Sequence, residues 1–277
     1  MFRKLLKYDM QAIWRIWLWM AVAMVLVSFP CALGMRLMVS ELSSSSPRVL
    51  LAIPGYLGFL LNYFVVAVFL VATEVLVFLH FYRHFFSDQG YLTFTLPVSR
   101  AKLLASKTVN AMLWMLFSVG VVGICLFEYV LIVPPEFVLF DAIAAFAVGI
   151  WESGGLSLLL LVEMVLIFLS GLWLSTSVIQ LCITVASILV KKLKLLVAVG
   201  IYYAVNVVLS TAFTVLFYVG LFVAIGSAES IIANVTDVEG ALLLVLVPLA
   251  ITVILTTVAA ALHFFTLDKL ERRLNLT

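Results

Sequence analysis

Charge is scarce in this chain. Only 11% of its 277 residues are charged and 66% are hydrophobic, where a soluble domain carries roughly 25% charged and about 45–50% apolar residues. Such a chain cannot fold as a soluble globule. Polar stretches of any length are missing too, because six apolar spans of about 20 residues each plus short loops consume most of the sequence. No large extramembrane catalytic module fits in what remains. The phosphate loop GxxxxGK[ST] is absent, as are HExxH, GxSxG, CxxC and an EF-hand loop, so the chain does not bind ATP by a phosphate loop, and we expect no enzyme activity from it alone. Cysteine is few and odd in number, and Cys31, Cys125 and Cys182 each lie within or beside an apolar span. They read as small buried hydrophobes rather than a disulfide framework. The opening MFRKLLK has the look of a signal peptide, but no A-x-A-like site follows, and Pro30 before Cys31 does not suit a lipoprotein cleavage box. The first span is expected to be retained.

What charge there is, is distributed by side. With both termini placed in the cytoplasm, the segments between spans alternate inside and outside. All of the 16 basic residues except Arg36 and Arg48 then fall inside. Glu41, Glu128, Glu136, Asp141, Glu152, Glu229, Asp237 and Glu239 fall outside. Lys and Arg resist translocation, so this asymmetry sets orientation. The expected fold is an all-α integral membrane protein of six transmembrane helices with both termini cytoplasmic. The net charge of +2 is the sum of a basic inner face and an acidic outer one, and the inner face suits lipid headgroups or a cytosolic partner rather than nucleic acid.

Along the chain, residues 2–15 are expected to form an amphipathic interfacial helix. Phe2, Leu5, Leu6, Met10, Ile13 and Trp17 share one arc, opposite Arg3, Lys4, Lys7, Gln11 and Arg15, which suits a helix lying in the membrane surface. It reads either as a topology anchor or as a platform for a cytosolic subunit. Spans follow at about 14–35, 55–82, 108–133, 156–190, 195–225 and 241–267, making one transmembrane domain over 1–277. Trp14, Trp17 and Trp19 read as an aromatic belt at the first span's inner boundary. The third span stops at Pro134-Pro135. Residues 138–151 are apolar but too short to span, and are expected to form an outer interfacial helix. The fourth span exceeds one crossing and should tilt, kink or project. Gly171 with Ser175, and Gly200 with Ala204, offer small-residue pairs for close helix contact.

Few residues could carry chemistry. His80 and His84 share a helical face at i, i+4 spacing, with Asp88 one turn further along, but two imidazoles make half a zinc site. We expect no metal there, and read the pair as interfacial histidines beside Arg83. Glu74 and Glu163 lie inside apolar spans, where a carboxyl group needs a cavity or a partner. Both are candidates for a substrate pathway together with Asn62. Each can equally be read as an interhelical hydrogen bond, with Asn62, Asn110, Asn206 or Gln180 as partner. For Glu163, near the outer end of its span, the hydrogen bond is the favoured reading.

The most informative stretch is the loop 83–107. Gly90 and Pro97 punctuate it, and Ser99 is suited to cap a helix starting at Arg100 and running into the third span. Its segment DQGYLTFTLPVSRAKLLASK resembles the loop between spans two and three of bacterial ABC exporter permeases of the second type, which commonly carry G-Y-L-x-x-x-L-P-V-S-R-x-x-L-L-x-S-K. The resemblance covers residues 88–107 and extends to the overall plan of six spans with a basic amphipathic start. It implies a permease dimer, homo- or heteromeric, with each chain engaging a cytosolic ATP-binding subunit that binds ATP and Mg. It also implies that this loop is the coupling helix, with partner-coupling roles for Asp88, Gly90, Tyr91, Leu92, Leu96, Pro97, Ser99, Arg100 and Lys107. The chain departs from relatives that have a long outer loop before the last span, because Gly226 to Gly240 is short and 138–151 is larger.

The expected function is therefore the permease subunit of an ATP-driven exporter for an amphipathic or hydrophobic substrate such as a drug, lipid or antimicrobial peptide. Three alternatives remain open: an ion-coupled secondary transporter using Glu74 or Glu163, a membrane-embedded enzyme using Glu74, His80 and His84, and a sensor or immunity subunit that binds without transporting.

Overall fold

A computed structural model describes residues 2–42, 49–87, 90, 95, 97–133, 148, 155–190, 193–226 and 238–273. They form the helices α1 (Phe2–Leu42), α2 (Val49–Phe86), α3 (Arg100–Ile132), α4 (Gly155–Leu189), α5 (Lys194–Gly226) and α6 (Val238–Arg273), with no strand among the described residues. All six are long and apolar enough to cross a membrane, which makes this a multi-pass membrane protein. Large apolar side chains such as Leu26, Phe64, Leu131, Val208 and Ile254 are exposed, as helices facing lipid require and a water-soluble surface would not tolerate in such number.

The helices outrun the spans expected from hydropathy. The segment read as a separate interfacial helix is the first part of α1, which runs unbroken for 41 residues, or about 60 Å at 1.5 Å per residue. The reason is local: no Pro or Gly occurs between Phe2 and Phe29, so nothing interrupts the hydrogen-bond ladder where the basic stretch gives way to the apolar one. Likewise α3 begins at Arg100, where the Ser99 cap is expected to start it, ahead of the apolar span at 108, so the last eight residues of the loop motif, 100–107, are already part of the spanning helix. The long fourth span is a single helix of 35 residues. The expected outer helix 138–151 lies, Val148 apart, outside the described residues.

The chain divides into two compact units, residues 1–80 with 105–152, and residues 81–104 with 153–277. In the first, Ile13, Trp17, Ala21 and Met24 form a buried stripe on α1. The stripe packs against Phe69 and Val77 of α2 and against Ala111, Trp114, Val121 and Cys125 of α3. The spacing of three and four residues on α1 and α3 is that of one helix face. Trp17 sits at the centre, with its ring centroid 5.0 Å from that of Trp114. The expected aromatic belt thus splits: Trp17 is 7% exposed and internal, whereas Trp19 is 75% exposed. Nearer the other end of α1, α1 and α2 cross at glycine, where a Cβ on Gly55 would lie 2.2 Å from the Gly34 carbonyl oxygen and 2.6 Å from Met38 Cβ.

In the second unit α4 packs against both α5 and α6. Val178, Ile179, Cys182, Ile183 and Ala186 form the buried face of α4, and Ala198, Leu255, Ala259 and Leu270 are buried on α5 and α6. The hydroxyls of Ser170, Thr176, Ser177, Thr184 and Ser187 donate to carbonyls three or four residues earlier on α4, which satisfies them without a neighbouring helix. The small pairs expected to mark close contacts do not do so here. A Cβ on Gly171 or Gly200 would meet nothing within 4 Å, in contrast to Gly55 against Gly34. All three cysteines are buried and free, as small apolar side chains.

Candidate functional site

Asp9 is a residue that sequence reading passed over, and it is the centre of a buried polar cluster. It lies one turn from Ile13 on the apolar arc of α1 and is 6% exposed. Lys107 Nζ pairs with its Oδ1, Ser106 Oγ donates to its Oδ2 at 3.2 Å, and His80 Nε2 lies 3.6 Å from Oδ1. Three helices therefore meet at one carboxylate. The available signal was that Asp9 is the single acid in a basic segment and falls on the buried side of it. Charges withdrawn from water hold together when paired and additionally hydrogen-bonded, and Asp9 has both. Asp9, His80 and His84 each bring one potential ligand atom to this point, all within 4.8 Å of one another. The position of Asp9 also assigns the end of the loop motif: Lys107, read as a partner-coupling residue, is 5% exposed and directs its ammonium to Asp9.

The rest of the motif divides between inward and outward residues. Gly90 is buried, and its N–H donates to the Ser87 carbonyl at 2.7 Å. A Cβ there would come 2.6 Å from the Phe85 carbonyl oxygen, so the turn leaving α2 needs glycine. The Ser99 carbonyl accepts from Leu103 N–H at 3.1 Å, the bond that defines an N-cap, as expected. Arg100 Nη1 donates to the carbonyls of Leu270 and Glu271 at 2.9 and 3.0 Å. A guanidinium on the last carbonyls of α6 satisfies groups that have no partner within the helix and complements its dipole. Leu103 and Leu104 are buried. Pro97, Ser99, Ala101 and Lys102 are exposed. Asp88, Tyr91, Leu92 and Leu96 lie outside the described residues.

The candidate pathway residues belong to different units. Asn62 and Glu74 are half-buried on α2 in the first unit, and Glu163 is buried on α4 in the second. Asn62 Oδ1 and Glu163 Oε2 are buried with no hydrogen-bond partner among the described residues. The interhelical bond favoured for Glu163 is thus not formed at that oxygen. On α2 His84 stands in the last turn, beside Arg83; Asp88, the third ligand considered, lies outside the described residues.

Comparisons of this chain with protein-family models, with curated proteins and with solved structures find no match in any of the three.

Proposed function

We propose that this chain is the membrane-spanning permease subunit of an ATP-driven exporter of the bacterial cytoplasmic membrane, with its termini on the cytoplasmic side. It would pair with a second permease chain and engage a cytosolic subunit that binds ATP and Mg. One observation carries the reading: the G-Y-L…L-P-V-S-R…L-L…S-K string of 90–107 ends in the first turns of a spanning helix, and among its described residues Pro97, Ser99, Ala101 and Lys102 are exposed at or just before that helix's start. Pro97, Ser99, Ala101 and Lys102 would form the docking face. Gly90, Leu103, Leu104, Ser106 and Lys107 would hold it rigid from within. Arg100 supports a way of passing on a push, because its bonds to the Leu270 and Glu271 carbonyls join the start of α3 to the end of α6. A rigid element biased by nucleotide in the partner is what such coupling requires.

The experiment is capture from the native membrane with a photocrosslinker at Lys102. A stoichiometric cytosolic protein bearing a phosphate loop is expected, and Ala101→Arg, with the crosslinker kept at position 102, should cut its capture at least about tenfold, as a bulky charge placed in a docking face does. A chain that purifies alone, with no crosslink from Lys102, overturns the proposal. A second reading, ion-coupled transport, draws on the buried, unpartnered Oε2 of Glu163; it predicts transport that follows a pH gradient and ignores ATP.

A further inference from the structure

The second unit holds a groove that none of the residues of the loop motif explains. It has a volume of about 350 Å³ and is lined by residues of α4 and α5 together with Leu255 of α6. That size is in the range of small-molecule sites, which run from about 300 to 1,000 Å³. Its walls are mainly aliphatic, with Ser175, Asn206 and Ser210 among them. Asn206 Nδ2 donates to the Tyr202 carbonyl at 3.1 Å, leaving its side-chain oxygen as an acceptor. The groove exists because the α4 wall is small where it could be large: a Cβ on Gly171 would meet nothing within 4 Å.

The helical register of that wall extends to a charged group. Ile167, Gly171, Leu174, Ser175 and Val178 line the groove, and their spacing of three and four residues continues backward to Glu163. Glu163 lies one turn, about 6 Å of axial rise, beyond Ile167. It is 6% exposed, with Oε2 lacking a partner among the described residues. It is also the one buried acid of this unit among the described residues. A carboxyl oxygen buried in an apolar span without a donor is unfavourable, and a cation delivered on an apolar chain would supply the partner that Oε2 lacks among the described residues.

We infer that this groove binds a single-chain cationic amphiphile, a long-chain primary ammonium, with the chain along α4 and the head group at Glu163. The inference deepens the transport reading by giving it a ligand class, and rests on that reading for its place in a transport cycle. Binding itself needs neither ATP nor a partner.

The test uses the full chain in phosphatidylcholine nanodiscs, with radiolabelled dodecylammonium as probe, dodecanol as the neutral probe of equal length, and empty discs as the background. Saturable dodecylammonium binding above empty discs is expected. Glu163→Gln should weaken it at least about tenfold, in line with loss of a charge-assisted bond, while leaving dodecanol binding unchanged. Gly171→Leu, which fills the groove and keeps the carboxyl group, should weaken both. Absence of saturable binding, unchanged dodecylammonium affinity in Glu163→Gln, or unchanged affinity in Gly171→Leu would each overturn the site. Should Glu163→Gln not assemble in discs, Gly171→Leu decides alone. Binding that persists in a chain that captures no ATP-binding subunit would sink the exporter reading and leave the site standing; capture without binding would do the reverse.

Discussion

The two units of this protein are held by different means. In the first, side chains bond from helix to helix. Trp17 Nε1 donates to Ser118 Oγ at 2.8 Å, and that hydroxyl lies 3.0 Å from Thr73 Oγ1. Ser28 pairs with Glu128, and Asp9 with Lys107 and Ser106. In the second, many hydroxyls turn back on their own helix: Ser170, Thr176 and Thr184 on α4, Thr211 on α5, and Thr252 and Thr266 on α6. Small and aliphatic side chains such as Ile183, Ala186, Ala198 and Ala259 are buried where α4 packs on α5 and α6. Directional bonds fix one arrangement, whereas apolar surfaces can slide past one another at low cost, as in shear motions. The first unit is built as a frame. The second unit, which contains the groove and the start of α3, is the one whose described hydroxyls bond mostly within their own helices.

The sharpest way to break this contrast is at the buried ion pair. Lys107→Met leaves Asp9 without its cation, and removing one partner of a buried pair costs about 3–5 kcal/mol. We expect a large fall in the unfolding midpoint in detergent, with Asp9→Asn in the same chain restoring most of it. A single variant that melts like the parent would mean that the pair does not hold the frame.

Glycine offers a matched comparison across the units. Gly55→Ala forces its Cβ against the Gly34 backbone and should cost about 1–3 kcal/mol, as overpacking does. Gly171→Ala enters open space in the second unit and should be neutral or gain up to about 1 kcal/mol from helix propensity. Equal midpoints for the two would erase the distinction.

Ser118→Ala removes the junction between Trp17 and Thr73 and should cost about 0.6 kcal/mol and at most about 1.7, the average and the maximum found for interhelical hydrogen bonds in a membrane protein. The same substitution at Thr184, which bonds its own helix, should cost less; thermal unfolding of both variants gives the ratio. The smallest effect is at the turn before α5, where Leu193 holds φ at 57° and is exposed. A left-handed conformation costs a leucine about 1 kcal/mol, so Leu193→Gly should raise the midpoint slightly, and a fall would show that the leucine side chain makes a contact worth more than the strain.

Much of this was legible in the chain, and the division follows range. Span positions depend on runs of apolar residues, so the six helices fall where hydropathy places them, and Ser99 caps α3 because an N-cap is set by its neighbours. Helix ends were less legible: where α1 should break, hydropathy changes but nothing in the backbone does. The two faces of the loop motif could not be separated from the string, because Arg100 and Lys107 are both basic and differ only in what lies opposite. Asp9 was hidden in a basic segment, although its place on the buried arc was readable. Trp17 and Trp19 looked alike as belt residues until packing put one at the centre of a core and the other outside.

By itself, then, the sequence determined that the protein is helical and multi-pass, because burying backbone in lipid leaves helices and closed barrels as the spanning structures and the apolar runs are of helix length. It also determined where chain reversal is cheap and which loop carries a specific pattern. Tertiary structure alone decided which charges meet, since Asp9 and Lys107 stand far apart in the chain and become neighbours only when α1 and α3 pack. It likewise decided that Gly55 marks a crossing while Gly171 marks a groove. A glycine is the same residue in both places, and only the helix opposite determines whether its missing side chain is filled or left open.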